Sequence, residues 1–417
     1  MQAEIIVVGS EMLTPYRQDT NSLHLTARLN DLGVTVAFKT IVGDSLQQLT
    51  GAARTALTRA DIIIFSGGLG PTEDDLTREA AAAALGLPLL SDPTILESLE
   101  RRFAARNIVM SPNNRKQADV IEGFTVLNNS NGSAPGQFIE TTHNGQRRLV
   151  LLLPGPPSEL KPLFDQVAKP LLAAALPPSF LARRTLRMAL IPESLVDART
   201  APIYQRFADI ETTILAGRGE IQLHFASTKP TLAEAQARVD EVVSLIEAEM
   251  QDDIFSSRGE SLEEIVLLML GMRHLTLAVA ESCSGGLIAE RLTEVPGSSR
   301  TFLGGAVVYT DALKTTFANV PADLIATHGA VSEPVVRALA EGIRTRTGAS
   351  IGISVTGLAG PTPGTGADAG KPIGRVYVAL ADGQQTRAKE LNLFGDRERI
   401  RWWASQQALE LLRRTLL

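Results

Sequence analysis

Short, unbroken apolar runs alternate with amphipathic stretches over about the first 165 residues. The runs at 5–8, 34–42, 61–65 and 148–153 predict strands, several covered on both faces, and the stretches at 21–32, 46–59 and 75–85 predict helices between them. This is the rhythm of a parallel sheet with helices on both sides. Pro154-Gly155-Pro156-Pro157 ends the last of these strands, and Pro177-Pro178 punctuates the chain again. A smaller pattern occupies 184–253, reading strand 185–190, helix 193–207, strand 211–215, strand 220–227 and helix 232–250. From residue 261 the α/β rhythm resumes, with strands expected at 275–280, 305–309, 351–355 and 376–381 and helices at 286–294 and 333–347. The chemistry-bearing motifs are expected where these strands end, the edge at which open α/β sheets bind ligands.

With 417 residues the chain exceeds what one hydrophobic core usually organises, so several domains are expected. The apolar share of 44% is ample for large cores, while no run approaches the ~20 apolar residues of a membrane span. A first strand-like run without a basic leader argues against a secretory signal and for a cytoplasmic protein. The net charge of -6 argues against a broad nucleic-acid surface, and a single cysteine excludes both a disulfide framework and a multi-cysteine zinc site.

In the first third, Ser66-Gly67-Gly68-Leu69-Gly70-Pro71-Thr72 follows an apolar strand, and Glu73-Asp74-Asp75 opens a helix. Glycines let backbone amides approach an anion, and the helix start adds a favourable dipole. Carboxylates beside phosphate call for a bridging cation, so Asp74 and Asp75, with Asp44 after the second strand, are the expected ligands of a divalent metal. Asn21 and Gly136 fall in loops expected at the same edge. Each feature taken singly also fits ordinary turn or helix-cap chemistry.

The last third holds a set without histidine: Glu281-Ser282-Cys283-Ser284-Gly285-Gly286, then Gly297-Ser298-Ser299, then Tyr309 and Lys314. A serine hydroxyl needs a base to become a nucleophile, and a buried lysine can lose its proton and supply one. Ser299 is therefore the expected nucleophile, Lys314 its base and Tyr309 the proton relay. Gly297 opens a turn whose amides suit an oxyanion, and Ser282 and Ser284 offer hydrogen bonds from a facing loop. Thr356-Gly357-Leu358-Ala359-Gly360 is a further anion-cradling turn, and Arg397 is a cation suited to phosphate, with Arg399 and Arg401 close enough to replace it. Cys283 is a rival nucleophile without a histidine nearby to activate it.

The run 67–79, the 131–136 loop and Pro154-Gly155-Pro156-Pro157-Ser158-Glu159 resemble the molybdopterin-binding-like domain of the CinA family, and the motifs from Glu281 to Arg397 resemble that family's C-terminal domain. The resemblance implies an N-terminal three-layer α/β/α domain at 1–168, a small α+β linker or dimerisation module at 169–255, and a C-terminal α/β deamidase domain at 256–417. It implies hydrolysis of nicotinamide mononucleotide to the nicotinate form and ammonia, with Ser299, Lys314 and Tyr309 as the catalytic set, Ser282, Thr356 and Arg397 as substrate contacts, and no cofactor in that domain. It further implies metal-dependent cleavage or binding of an ADP-ribose-like pyrophosphate against Gly67, Gly68, Gly70 and Thr72, and a homodimer. The competing expectation is a non-catalytic nucleotide- or pterin-sensing regulator of competence or stress.

Overall fold

The computed structural model describes residues 1–105, 107–177 and 179–417; Pro178 of the expected punctuation lies outside the described residues. The chain divides into two compact units, one of residues 1–181 with 228–235 and one of 182–227 with 236–417.

The first unit is built on β1 (Gln2–Val8), α1 (Asn21–Asn30), β2 (Thr35–Val42), α2 (Leu46–Arg59), β3 (Ile62–Ser66), α3 (Thr77–Leu85), β4 (Leu89–Ser91), α4 (Pro93–Ala104), β5 (Asp119–Ile121), β6 (Thr125–Leu127), β7 (Gly136–His143), β8 (Gln146–Leu153), α5 (Pro157–Leu163) and α6 (Lys169–Ala175). Its main sheet runs β2-β1-β3-β8-β7-β6. The first four strands are parallel, as expected, but β7 and β6 are antiparallel additions, so the sheet is mixed. Separate apolar clusters cover the two faces, one gathered under α2 and α3 and the other under α1 and α5, which explains why β3 and β8 read as continuous apolar runs. Glu4 is a fully buried exception on β1; Arg59 clasps it through two bonds of 2.8 Å and Thr40 donates a third of 2.7 Å.

In the next segment come β9 (Phe180–Ala189), α7 (Glu193–Tyr204), β10 (Glu211–Gly217), β11 (Glu220–Lys229), α8 (Leu232–Met250) and β12 (Ile254–Ser256), whose strands form a sheet in the order β10-β11-β9-β12. The remainder is α9 (Leu262–Met272), β13 (Leu277–Glu281), α10 (Leu287–Thr293), β14 (Phe302–Val307), α11 (Asp311–Ala318), α12 (Ala322–His328), α13 (Glu333–Thr347), β15 (Ile351–Gly357), β16 (Arg375–Ala381), β17 (Thr386–Asn392) and α14 (Arg397–Thr415). Their sheet runs β14-β13-β15-β16-β17, with β14, β13 and β15 parallel and β16 and β17 antiparallel. Ser261 and Glu264 form a reciprocal capping box at the start of α9, and Asp396 caps α14 by accepting from Arg399 N at 2.8 Å. Among the described residues no helix is long and apolar enough to cross a membrane.

One boundary differs in a way that matters. The apolar run expected as a strand at 305–309 is in fact β14 at Phe302–Val307, and it pairs from Leu277↔Phe302 to Glu281↔Val307. Gly297, Ser298 and Ser299 lie just before this strand, at the edge where it begins, and not at a strand end as expected of the motifs.

Candidate active site

In the first unit the glycine-rich turn behaves as its sequence predicts. Gly67 (φ 106°) and Gly68 (φ 67°) occupy conformations that disfavour side chains, and a Cβ on Gly68 would lie 2.2 Å from Thr77 Oγ1. Buried Arg78, which the sequence analysis did not single out, fixes the turn by donating to the carbonyls of Leu69 (2.9 Å) and Gly70 (3.0 Å). A cavity of about 840 Å³ opens over the turn, lined also by Asn21, Asp75, Ser133 and Glu159. Buried Asn21 ties the first loop to two strand ends, donating to Ser66 Oγ (3.2 Å) and Gly155 O (2.7 Å), which leaves its own carbonyl oxygen without a partner.

The expected metal set does not assemble. Of the three aspartates only Asp75 lines the cavity, and it accepts from the backbone N–H (2.9 Å) and the hydroxyl of Thr72. Asp44 instead accepts from Ser10 N at 2.8 Å, and Asp74 is exposed, its carboxyl held low chiefly by hydrogen bonding to Thr72. Among the described residues no three Asp, Glu, His or Cys side chains are grouped to hold a metal ion. Thr72 and Gly136 also lie off the cavity wall; Gly136 is the first residue of β7, packed against the Leu152 carbonyl.

The second unit brings most of its expected residues to one edge. There β13 ends in Glu281, whose buried carboxylate accepts from the N–H groups of Gly286 (3.0 Å), Ile288 (3.0 Å) and Ala289 (2.8 Å). One carboxylate thus both caps α10 and folds the 282–286 loop back over the strand end. Arg401 braces the same loop through two bonds to the Ser284 carbonyl, at 3.1 and 2.8 Å. Ser282 and Ser284 are buried in this loop, and the Ser284 hydroxyl has no hydrogen-bond partner. Glu281 and Arg401 do the positioning; the signal for Glu281 was an acidic residue ending an apolar strand just before a glycine-rich helix start.

Lys314 lies in the first turns of α11 with only 2% of its surface exposed. Burial pulls its amine below the ordinary lysine pKa, opposed by Asp311, whose Oδ1 is 3.7 Å from Nζ, and by Asp368. Asp368 is itself engaged by Lys371 at 2.6 Å and Val331 N at 3.1 Å. Burial pushes the Cys283 thiol up to about 12, with the charges of Lys314 and Arg397 opposing it only weakly. A thiol held there is protonated at neutral pH and is a poor nucleophile. Tyr309 is exposed; its hydroxyl accepts from Arg397 Nη2 at 2.7 Å while Arg397 Nη1 donates to Gly360 O at 2.7 Å. This separates the three arginines: Arg397 bridges Tyr309 to the 356–360 turn, Arg401 braces the loop, and Arg399 stacks on Phe394 at 4.5 Å. Thr356 is buried with its hydroxyl on Ala330 O (2.8 Å), and a Cβ on Gly357 would meet Val376 Cγ2 at 2.6 Å, so both serve close strand packing.

Ser299 and Gly297 do not join this set within the chain. They form the exposed turn before β14, beside Thr301, at the edge where strands begin. Tyr309 and Lys314 follow the other end of the same strand, whose five residue steps of about 3.3 Å separate the two edges. The expected Ser299–Lys314 contact inside one chain is thereby corrected.

These sheets and strand-edge sites define an α/β protein in which a molybdopterin-binding-like domain precedes a second α/β domain. Residues 4–174 match the family model described as "Probable molybdopterin binding domain", and residues 259–416 match the CinA C-terminal domain. A CinA-like protein of Acidobacterium capsulatum is 57% identical across 100% of both chains, and one of Koribacter versatilis is 54% identical over the same full coverage. Among solved structures, a CinA superfamily protein of Klebsiella pneumoniae is 32% identical, covering 38% of this chain and 98% of its own, with a TM-score of 0.36. The chain belongs to the CinA family.

Proposed function

We propose that the second unit hydrolyses the carboxamide of nicotinamide mononucleotide, giving nicotinate mononucleotide and ammonia. The observation that carries this reading is the burial of Lys314 beneath the 282–286 loop's edge of the sheet, where desolvation favours the neutral amine. A neutral lysine can take a proton from a serine hydroxyl, and the oxygen then attacks the amide carbon. The resulting ammonium returns its proton to the departing nitrogen as the C–N bond breaks. Water next gives a proton to the amine and its oxygen to the acyl carbon; the ester C–O bond breaks, the product acid leaves, and the serine oxygen is reprotonated. Arg397 supplies a cation for the nucleotide's phosphate beside the 356–360 turn. The choice of this amide rests on the family resemblance, since the polar groups at the edge suit a small anionic nucleotide in general. Chromatographic conversion of nicotinamide mononucleotide by wild type, with loss of about 10²–10⁴ in rate in Lys314→Met, is the expected result. Unchanged conversion by Lys314→Met would remove the lysine from the chemistry.

The cavity of the first unit suits a pyrophosphate of the ADP-ribose kind, bound by the 67–70 turn at the start of the segment leading into α3. The aspartates do not fit a metal as they stand, so no metal-dependent step is assigned there.

A further inference from the structure

We infer that the active site is completed in trans: Ser299 of a second copy of this chain reaches the edge that holds Tyr309 and Lys314. This rests on the proposed amidase reading and supplies the nucleophile that one chain leaves at the wrong end of β14.

Three observations carry it. The lysine edge has a buried base, while the expected nucleophile is exposed at the opposite end of the strand. Next, β14 is the outermost strand of its sheet, and apart from a bulge at Leu303 neither charge nor proline blunts its outer edge. From Thr301 to Thr310 it has no charged residue and no proline, and Leu303 and Val307 stand 49% and 47% exposed. An uncharged, apolar free edge is a template for a further strand.

The third observation is register. A two-fold axis normal to the sheet pairs β14 with its copy in antiparallel fashion, and directly opposed residues share a face. With Gly304 on the axis, just past the bulge at Leu303, the start of β14 in one copy lies against its end in the other, so the Ser298–Arg300 turn of one copy falls near the segment that carries Tyr309 in the other. A Cβ at Gly304 would have no neighbour within 4 Å, so the crossing point is open to an approaching backbone. The same symmetry carries the 298–300 turn of each copy to the start of the other's α11. The isologous contact therefore builds two identical sites, each with a lysine from one copy and a serine from the other.

The test is complementation. Full-length Ser299→Ala and Lys314→Met chains, tagged differently, are co-expressed and the mixed dimer isolated. One of its two sites then has both residues intact, so about half of wild-type ammonia release per dimer is expected, although each variant alone is inactive. If wild type is active and the mixed dimer is not, the pair works within one chain or not at all, and the inference is overturned. Should wild type release no ammonia, the amidase reading fails by itself and a second measurement decides the interface. Ser299→Cys with Tyr309→Cys in a Cys283→Ser background should give a covalent dimer on mild oxidation. Covalent dimer that needs both cysteines supports the pairing; monomer only, while wild type and the variant share one fold by circular dichroism, refutes it.

Discussion

The proposed chemistry turns on Lys314, because an amine with 2% exposure cannot hold its proton as a surface lysine does. The linkage has a definite sign. Below the lowered folded-state pKa both folded and unfolded chains hold the proton, and the fold bears the full cost of a dry ammonium. As pH rises from that value toward the ordinary lysine pKa, the cost disappears. Lys314→Met should accordingly be more stable than wild type at neutral and acidic pH, with the gap in denaturation midpoint narrowing in alkali. Cys283, by contrast, should be dispensable: with its thiol pushed up to about 12, Cys283→Ala is expected to retain ammonia release within about twofold, at a modest cost in packing. Near-complete loss in that variant would promote the thiol to nucleophile. The residue types were legible from sequence. The burial of the amine was not, since it depends on how α13, distant along the chain, packs against α11.

At the scale of elements, the difference between expectation and structure is concentrated in β14. Gly304-Gly305 interrupts its apolar pattern, so the sequence predicts a strand at 305–309 while the pairing begins at Phe302. The Gly297–Ser299 turn lies at the edge where β14 begins, not at the strand-end edge at which the motifs were expected. Polar alternation likewise hid β7 and β17, which have one wet face, whereas the continuously apolar β3, β8, β13 and β15 were legible because both faces are covered. The loop of the active edge hangs on Glu281. Exchanging its carboxylate for an amide in Glu281→Gln puts an N–H donor against backbone donors, with an expected cost of about 1–3 kcal/mol in stability by chemical denaturation and a fall in turnover larger than the change in KM. The clasp on β1 is a comparable test without a role in catalysis: Arg59→Ala strands buried Glu4 and should cost about 3 kcal/mol, leaving ammonia release by the folded fraction unchanged.

Across the whole molecule, two sites of different character emerge, each at a strand-end edge of its own sheet. The first depends on a turn that only glycine can make. Gly68→Ala, with φ at 67° and Thr77 Oγ1 2.2 Å from the new Cβ, should weaken ADP-ribose binding by calorimetry while amide hydrolysis by the second unit persists. Loss of both activities together would mean that the units do not act separately. The α/β class and the family were legible in the motifs, and the full-length match to CinA-like proteins agrees with them. What sequence spacing could not give was which edge each motif occupies, because that is fixed by strand pairing and not by order along the chain.

The most direct measurement is the pH–rate profile of ammonia release from nicotinamide mononucleotide by the full-length protein. If Lys314 acts as a neutral base, kcat/KM rises with pH along a limb whose midpoint lies below the ordinary lysine pKa, and that limb is lost in Lys314→Met. A profile that is flat through this range, or one whose limb survives the substitution, would contradict the account.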